Sequence, residues 1–132
     1  KAEKDPDIFL FFDPEMLGSL EIHSFVNAIQ VASEVIVQNS TREGFGLSLT
    51  EAMWKGKAVV GGPAEGIRLQ IQNNKNGFLS SGPQELSKRI IQLIKNPQLA
   101  EKLGKAARQT VRRDFLVPRV LRDYLKIFKE LA

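Results

Sequence analysis

The chain has 132 residues, 42% hydrophobic and 26% charged, with a formal net charge of +4, one histidine and no cysteine. That is an ordinary composition for a folded domain with its own core, and the length falls short of a complete two-domain enzyme. It excludes disulfides, thiol catalysis, cysteine metal sites and histidine-rich metal sites. No apolar run approaches the ~20 residues of a membrane span, and no signal-peptide pattern opens the chain, so the expected location is cytoplasmic. Much of the basic excess lies between Lys102 and Lys129, interleaved with apolar residues at helical spacing. That describes a solvated helix face rather than a nucleic-acid footprint.

Residues 1–6 are polar and expected to fray. Ile8, Phe9, Leu10, Phe11 and Phe12 form a continuous apolar run, the pattern of a strand buried on both faces, which Asp13 and Pro14 end. Over residues 19–33, Leu20, Ile22, Phe25, Val26, Ile29 and Ala32 recur at intervals that predict a helix packed on a sheet. His23 lies on that helix, and a structural or exposed role fits it best, since no cysteine or second histidine completes a familiar catalytic or zinc set.

A second strand is expected over residues 34–38, feeding the polar run Gln38-Asn-Ser-Thr41 and two glycines that flank Phe45. A helix over 47–55 follows, with Leu47, Leu49, Ala52, Met53 and Trp54 as its packing face and Gly56 as its C-cap. Residues 57–60 read as a third strand, Gly61-Gly-Pro-Ala-Glu-Gly66 as a second glycine-rich loop, and 67–72 as a short helix. A turn cluster over 73–77 leads to a short edge strand at 78–80. Pro83, Pro97 and Pro118 then stand at first-turn positions of three helices spanning 83–131. Alternating strands and helices predict an α/β fold with a parallel, Rossmann-like sheet and flanking helices.

In such sheets ligands bind beyond the carboxyl ends of the strands, which places both glycine-rich loops on the ligand side. Glycines let the backbone approach a ligand closely, and the N–H groups of the following helix favour an anion. Glu43 and Glu51 frame the first loop. Each also has a structural reading: Glu43 as an acid complementing the helix dipole, Glu51 as a solvated residue paired with Lys55.

The string Glu43-Gly-Phe-Gly-Leu-Ser-Leu-Thr-Glu51-Ala-Met-Trp-Lys-Gly-Lys-Ala-Val-Val60 resembles the E-x7-E region of retaining glycosyltransferases of GT-B architecture. That group contains the sucrose, glycogen and trehalose synthases. Asp5-Pro-Asp-Ile8, Val26-Asn-Ala-Ile-Gln30, Arg42, Ala52-Met-Trp-Lys-Gly56 and Leu69-Gln-Ile71 bring the resemblance nearest to nucleotide-sugar-dependent trehalose synthases. Residues 11–24 match poorly. Ala58 stands where the family usually has proline, and the second glycine loop departs from the commoner Gly-Gly-Ile-Pro-Glu run.

The resemblance implies that residues 1–132 form part of a C-terminal, nucleotide-sugar-binding GT-B domain, with nucleotide-diphosphate glucose as donor, an acceptor sugar, and no tightly bound cofactor or metal. Glu43 would contact donor-sugar hydroxyls as the catalytic residue and Glu51 the nucleoside ribose. Gly44, Phe45, Gly46, Leu47, Ser48 and Thr50 would line the sugar and diphosphate. The family's acceptor domain and first two donor-domain strands have no counterpart in these residues, so the chain alone is expected to be inactive. A non-catalytic nucleotide-sugar or phosphate-binding module and a structural assembly domain remain as alternatives. In the strand order 3-2-1-4-5-6, residues 8–12 would be strand three and Val35 to Val37 strand four. Without strands one and two, residues 8–12 are expected to pair directly beside Val35 to Val37, or the open edge to support a homo-oligomer.

Overall fold

A computed structural model describes residues 5–131. The expected fraying of residues 1–6 falls mostly on residues 1–4, outside the described residues. Three parallel strands, β1 (Val35–Gln38), β2 (Ala58–Gly61) and β3 (Phe78–Leu79), form one sheet in the order β1-β2-β3. The register sets Val35 against Ala58 and Gln38 against Gly61, then Val60 against Phe78. Around the sheet lie α1 (Ile22–Ala32), α2 (Leu47–Trp54), α3 (Glu65–Arg68), α4 (Pro83–Ile94), α5 (Pro97–Asp114) and α6 (Val117–Leu131). The parallel α/β architecture expected from strand and helix alternation is the one observed.

β2 is buried along its whole length, and strand alternation divides its side chains between two clusters. Val59 packs with Leu49 and Met53 of α2, Ile67, and Ala107 and Val111 of α5. Ala58 and Val60 face Phe78, Leu93 of α4 and Leu103 of α5. Each fully buried aliphatic of this size contributes about 1.5–3 kcal/mol, so the sheet centre anchors the helix whose amino end forms the loop. α2 ends on Gly56, which has φ 76° and donates from its N–H to the Met53 carbonyl at 3.0 Å. Without a side chain, Gly104 brings α5 onto the Gly56 carbonyl.

Three expectations need correction. Residues 8–12 form no strand and pair with nothing in the sheet; Phe9 is 76% and Phe12 84% exposed. A strand needs a neighbouring backbone for its N–H and C=O groups. Here Asp13 caps a 3-10 turn at Pro14–Leu17 by accepting from the Glu15 N–H, and Phe11 packs edge-on against Phe25 of α1, ring centres 4.8 Å apart. The predicted pairing beside Val35 to Val37 does not form.

The apolar positions Ile22, Val26 and Ile29 of α1 are exposed rather than packed on the sheet. α1 is tied down by polar contacts instead. Lys57 Nζ donates to the Val31 carbonyl at 2.5 Å, and Glu21 caps its first turn by accepting from the His23 and Ser24 amides.

Trp54 and Leu47 are exposed, not core. At roughly 100° per residue, Leu49, Ala52 and Met53 share the inner face of α2 and turn Leu47 and Trp54 outward. The Arg108 guanidinium lies over the Trp54 ring, 5.2 Å from its centre.

Candidate functional site

The loop between β1 and α2 leaves the carboxyl end of β1 and enters α2 through Gly46, whose φ of 86° is left-handed and suits glycine. An added Cβ there would meet Ile67 Cδ1 at 2.8 Å. The Gly46 carbonyl accepts from the Leu49 and Thr50 amides at 3.1 and 3.2 Å, starting the helix. Among the described residues no side chain caps this end, leaving the first-turn N–H groups without the partner that a cap would supply. The predicted strand, loop and helix junction is therefore present, and α2 starts at the expected residue.

The second glycine-rich loop is stitched to the first. The Gly62 amide donates to the Gln38 carbonyl at 2.9 Å, Ala64 to Ser40 at 3.3 Å, and Gly66 to Glu43 at 3.1 Å. Gly66 must be glycine for this approach, since a Cβ would fall 2.6 Å from the Glu43 and Gly44 carbonyl oxygens. Both loops thus sit at one end of the parallel sheet, as their positions after β1 and β2 require.

Helical spacing divides the predicted site residues of α2. Ser48 and Glu51, with Lys55 one turn further, face α1 across a cavity of about 540 Å³ whose other wall includes His23 and Asn27. Glu51 is exposed toward this space, while Glu43 is half-buried in the loop beside Gly46. Gly44 is open, and Phe45 is half-buried with its ring edge-on to Phe115 at 5.5 Å. Phe45 therefore anchors the loop to the body of the domain. Lys55 does not serve as the Glu51 partner that the sequence allowed. Its Nζ donates instead to Gln30 Oε1 at 2.7 Å, and Gln30 Nε2 donates to the Ser48 carbonyl at 3.3 Å.

Thr50, expected at the ligand, turns inward. Its hydroxyl donates to Gln70 Oε1 at 2.7 Å. Gln70 and Gln30 are contributors that residue patterns did not single out. Their only sequence signal was membership of the two short strings Leu69-Gln-Ile71 and Val26-Asn-Ala-Ile-Gln30.

Residues 15–110 match the family model described as glycosyl transferases group 1. The chain belongs to the glycosyl transferases group 1 family. It is 43% identical to a trehalose synthase of Pyrococcus horikoshii over 99% of this chain and 35% of that protein. It is 40% identical to a trehalose synthase of Rubrobacter xylanophilus over 98% of this chain and 30% of that protein. The chain thus spans about a third of the length of these group 1 relatives. Among solved structures, Anabaena Alr3699/HepE in complex with UDP-glucose superposes with a TM-score of 0.70 at 25% identity, covering 80% of this chain and 30% of that one. Sucrose-phosphate synthase from Thermosynechococcus elongatus superposes with a TM-score of 0.72 at 25% identity, covering 83% and 28% respectively. The three-stranded sheet and its helices are thus part of a GT-B, Rossmann-like glycosyltransferase fold.

Proposed function

We propose that this chain is the donor-binding part of a retaining glycosyltransferase that moves glucose from a nucleoside-diphosphate sugar to an acceptor sugar, with trehalose formation the nearest likeness. The observation that carries this reading is the uncapped amino end of α2, reached through Gly46 and flanked by Glu43 and Glu51. Amides there offer fixed donors to a diphosphate without any reorganisation as charge develops on the leaving group. UDP-glucose is the donor to test first, because Alr3699/HepE is in complex with it.

Glu43 binds hydroxyls of the transferred sugar. A carboxylate accepts from paired hydroxyls, and one held in a half-buried loop gains by such partners. Glu51, on the wall of the cavity shared with His23 and Asn27, accepts from the ribose hydroxyls. Gly44 to Leu47 supply backbone amides, Ser48 adds a hydroxyl, and Thr50 acts through the loop it holds. Within this segment leaving-group stabilisation falls to those amides and the α2 dipole, and the new glycosidic bond forms on the face the diphosphate leaves. The segment alone is inactive, because acceptor binding belongs to the portion that the longer relatives carry. The complete protein works in the cytoplasm.

The test is steady-state kinetics after grafting this segment into a complete trehalose synthase. Transfer from UDP-glucose at a rate near that of the parent supports the reading. A folded graft that binds donor but transfers nothing would favour a non-catalytic binding module.

A further inference from the structure

Gln70 follows α3 and has 0% of its surface exposed. Its side-chain oxygen accepts from the Thr50 hydroxyl, and its Nε2 faces the carbonyls of Phe45, Gly46 (3.4 Å) and Gly66 (3.3 Å). One buried amide therefore joins the ligand loop, the first turn of α2 and the start of α3. The backbone of Gln70 is fixed in turn. Asn76 Nδ2 donates to the Gln70 carbonyl at 3.0 Å and approaches Thr110 Oγ1 of α5 at 3.1 Å.

The consequence follows from peptide geometry. In a trans peptide the C=O and the N–H point to opposite sides, and the described residues contain no cis bond. Drawing the Phe45 carbonyl down onto Gln70 turns the Gly46 N–H the other way. Holding the Gly46 carbonyl inward does the same for the Leu47 N–H. These are the amides at the open end of α2.

We propose that Gln70 is a positioning residue which, by binding the Phe45 and Gly46 carbonyls from within the core, aims the Gly46 and Leu47 amides at the donor diphosphate. The proposal rests on the donor-site reading for the identity of the anion, and on the Gln70 contacts alone for the direction of the amides. Glutamine suits the task because it combines an acceptor for Thr50 with a donor for carbonyls at the end of one side chain. Glutamate has the same shape, but when ionised it sets a carboxylate against carbonyl oxygens. When protonated it recovers an O–H donor for the Phe45 carbonyl and keeps an acceptor for Thr50.

The experiment uses amide NMR spectra and UDP-glucose titrations of the 132-residue chain, comparing wild type, Gln70→Leu, Gln70→Glu and Leu93→Ala. Leu93→Ala weakens the core at the α4 side without touching the loop, and so reports what lost stability does by itself. In Gln70→Leu, the Gly46 and Leu47 amide resonances should move and UDP-glucose binding should weaken about tenfold or more. Leu93→Ala should keep both at wild-type values in the folded sample. For Gln70→Glu, binding should recover as pH falls and the buried carboxyl takes up its proton, a gain that wild type lacks. Wild-type amide positions in Gln70→Leu, or a pH response of Gln70→Glu matching wild type, overturn the proposal. If wild type shows no response to UDP-glucose, the amide resonances decide the role of Gln70, and the donor-site reading is tested by the same titration in a complete glycosyltransferase carrying this segment. If Gln70→Leu does not fold, recovery of the wild-type Gly46 and Leu47 resonances by Gln70→Glu at low pH decides it, and their failure to return overturns it.

Discussion

The hydroxyl of Thr50 on α2 donates to Oε1 of Gln70 beyond α3 at 2.7 Å, joining two elements 20 residues apart beneath the glycine loop. Thr50→Val removes the donor and leaves a buried amide oxygen unpaired, a loss of about 1–3 kcal/mol. Thr50→Ser keeps the hydroxyl and should restore most of it. Urea unfolding of the three proteins checks this, and equal midpoints for Thr50→Val and wild type would contradict the bond.

Gly104→Ala should be among the most damaging single substitutions, because the added carbon meets the Gly56 backbone carbonyl, which cannot rotate away as a side chain can. Overpacking of this kind costs about 1–3 kcal/mol or more. Gly82→Ala is the comparison: its Cβ would meet nothing within 4 Å, and its φ of 178° is extended backbone. Thermal unfolding should place Gly104→Ala well below Gly82→Ala.

Glu85 gives the amino end of α4 a pH dependence. Its carboxylate accepts from the Ser81 amide at 3.0 Å and the Ser81 hydroxyl at 2.9 Å, and these bonds, with Arg89 nearby, hold its pKa below the usual glutamate value. A group with a lowered folded pKa stabilises the protein above its unfolded pKa, and that contribution is lost as pH falls through the folded value. The stability difference between wild type and Glu85→Gln should be largest near neutral pH and vanish in acid. Unfolding midpoints across a pH series measure it; a difference that grows toward acid would contradict the assignment.

Trp54 is the sole tryptophan and is 40% exposed, with Arg108 stacked over its ring. Arg108→Ala should uncover the indole and raise quenching of its fluorescence by acrylamide, a neutral quencher that does not respond to the lost charge. Unchanged quenching would mean that the guanidinium does not shield the ring.

The elements that the sequence made legible are those whose partners lie within it. β1, β2, α2 and the two glycine loops fell where Val35 to Val37, Gly46, Gly56 and Gly61 placed them, since period, turn chemistry and parallel pairing agree there. Residues 8–12 and the apolar positions of α1 carry the same apolar signal. Apolar pattern alone cannot state which surface a residue meets, and a strand needs another backbone as well as apolar side chains. Glu43, Ser48 and Glu51 were proposed for the site because a recognisable string carries them. Gln70 was not, because a buried glutamine acquires its role from carbonyls 24 and 25 positions away, which no local spacing reveals.

The proposed function divides the two carboxylates between sugar and nucleoside. The most direct measurement is steady-state kinetics with donor-binding constants for Glu43→Ala and Glu51→Ala in a complete glycosyltransferase carrying this segment. Glu43→Ala should lower kcat with little change in nucleoside-diphosphate affinity, and Glu51→Ala should chiefly raise the KM for the nucleotide sugar. Equal losses of nucleoside-diphosphate affinity in the two variants would contradict it.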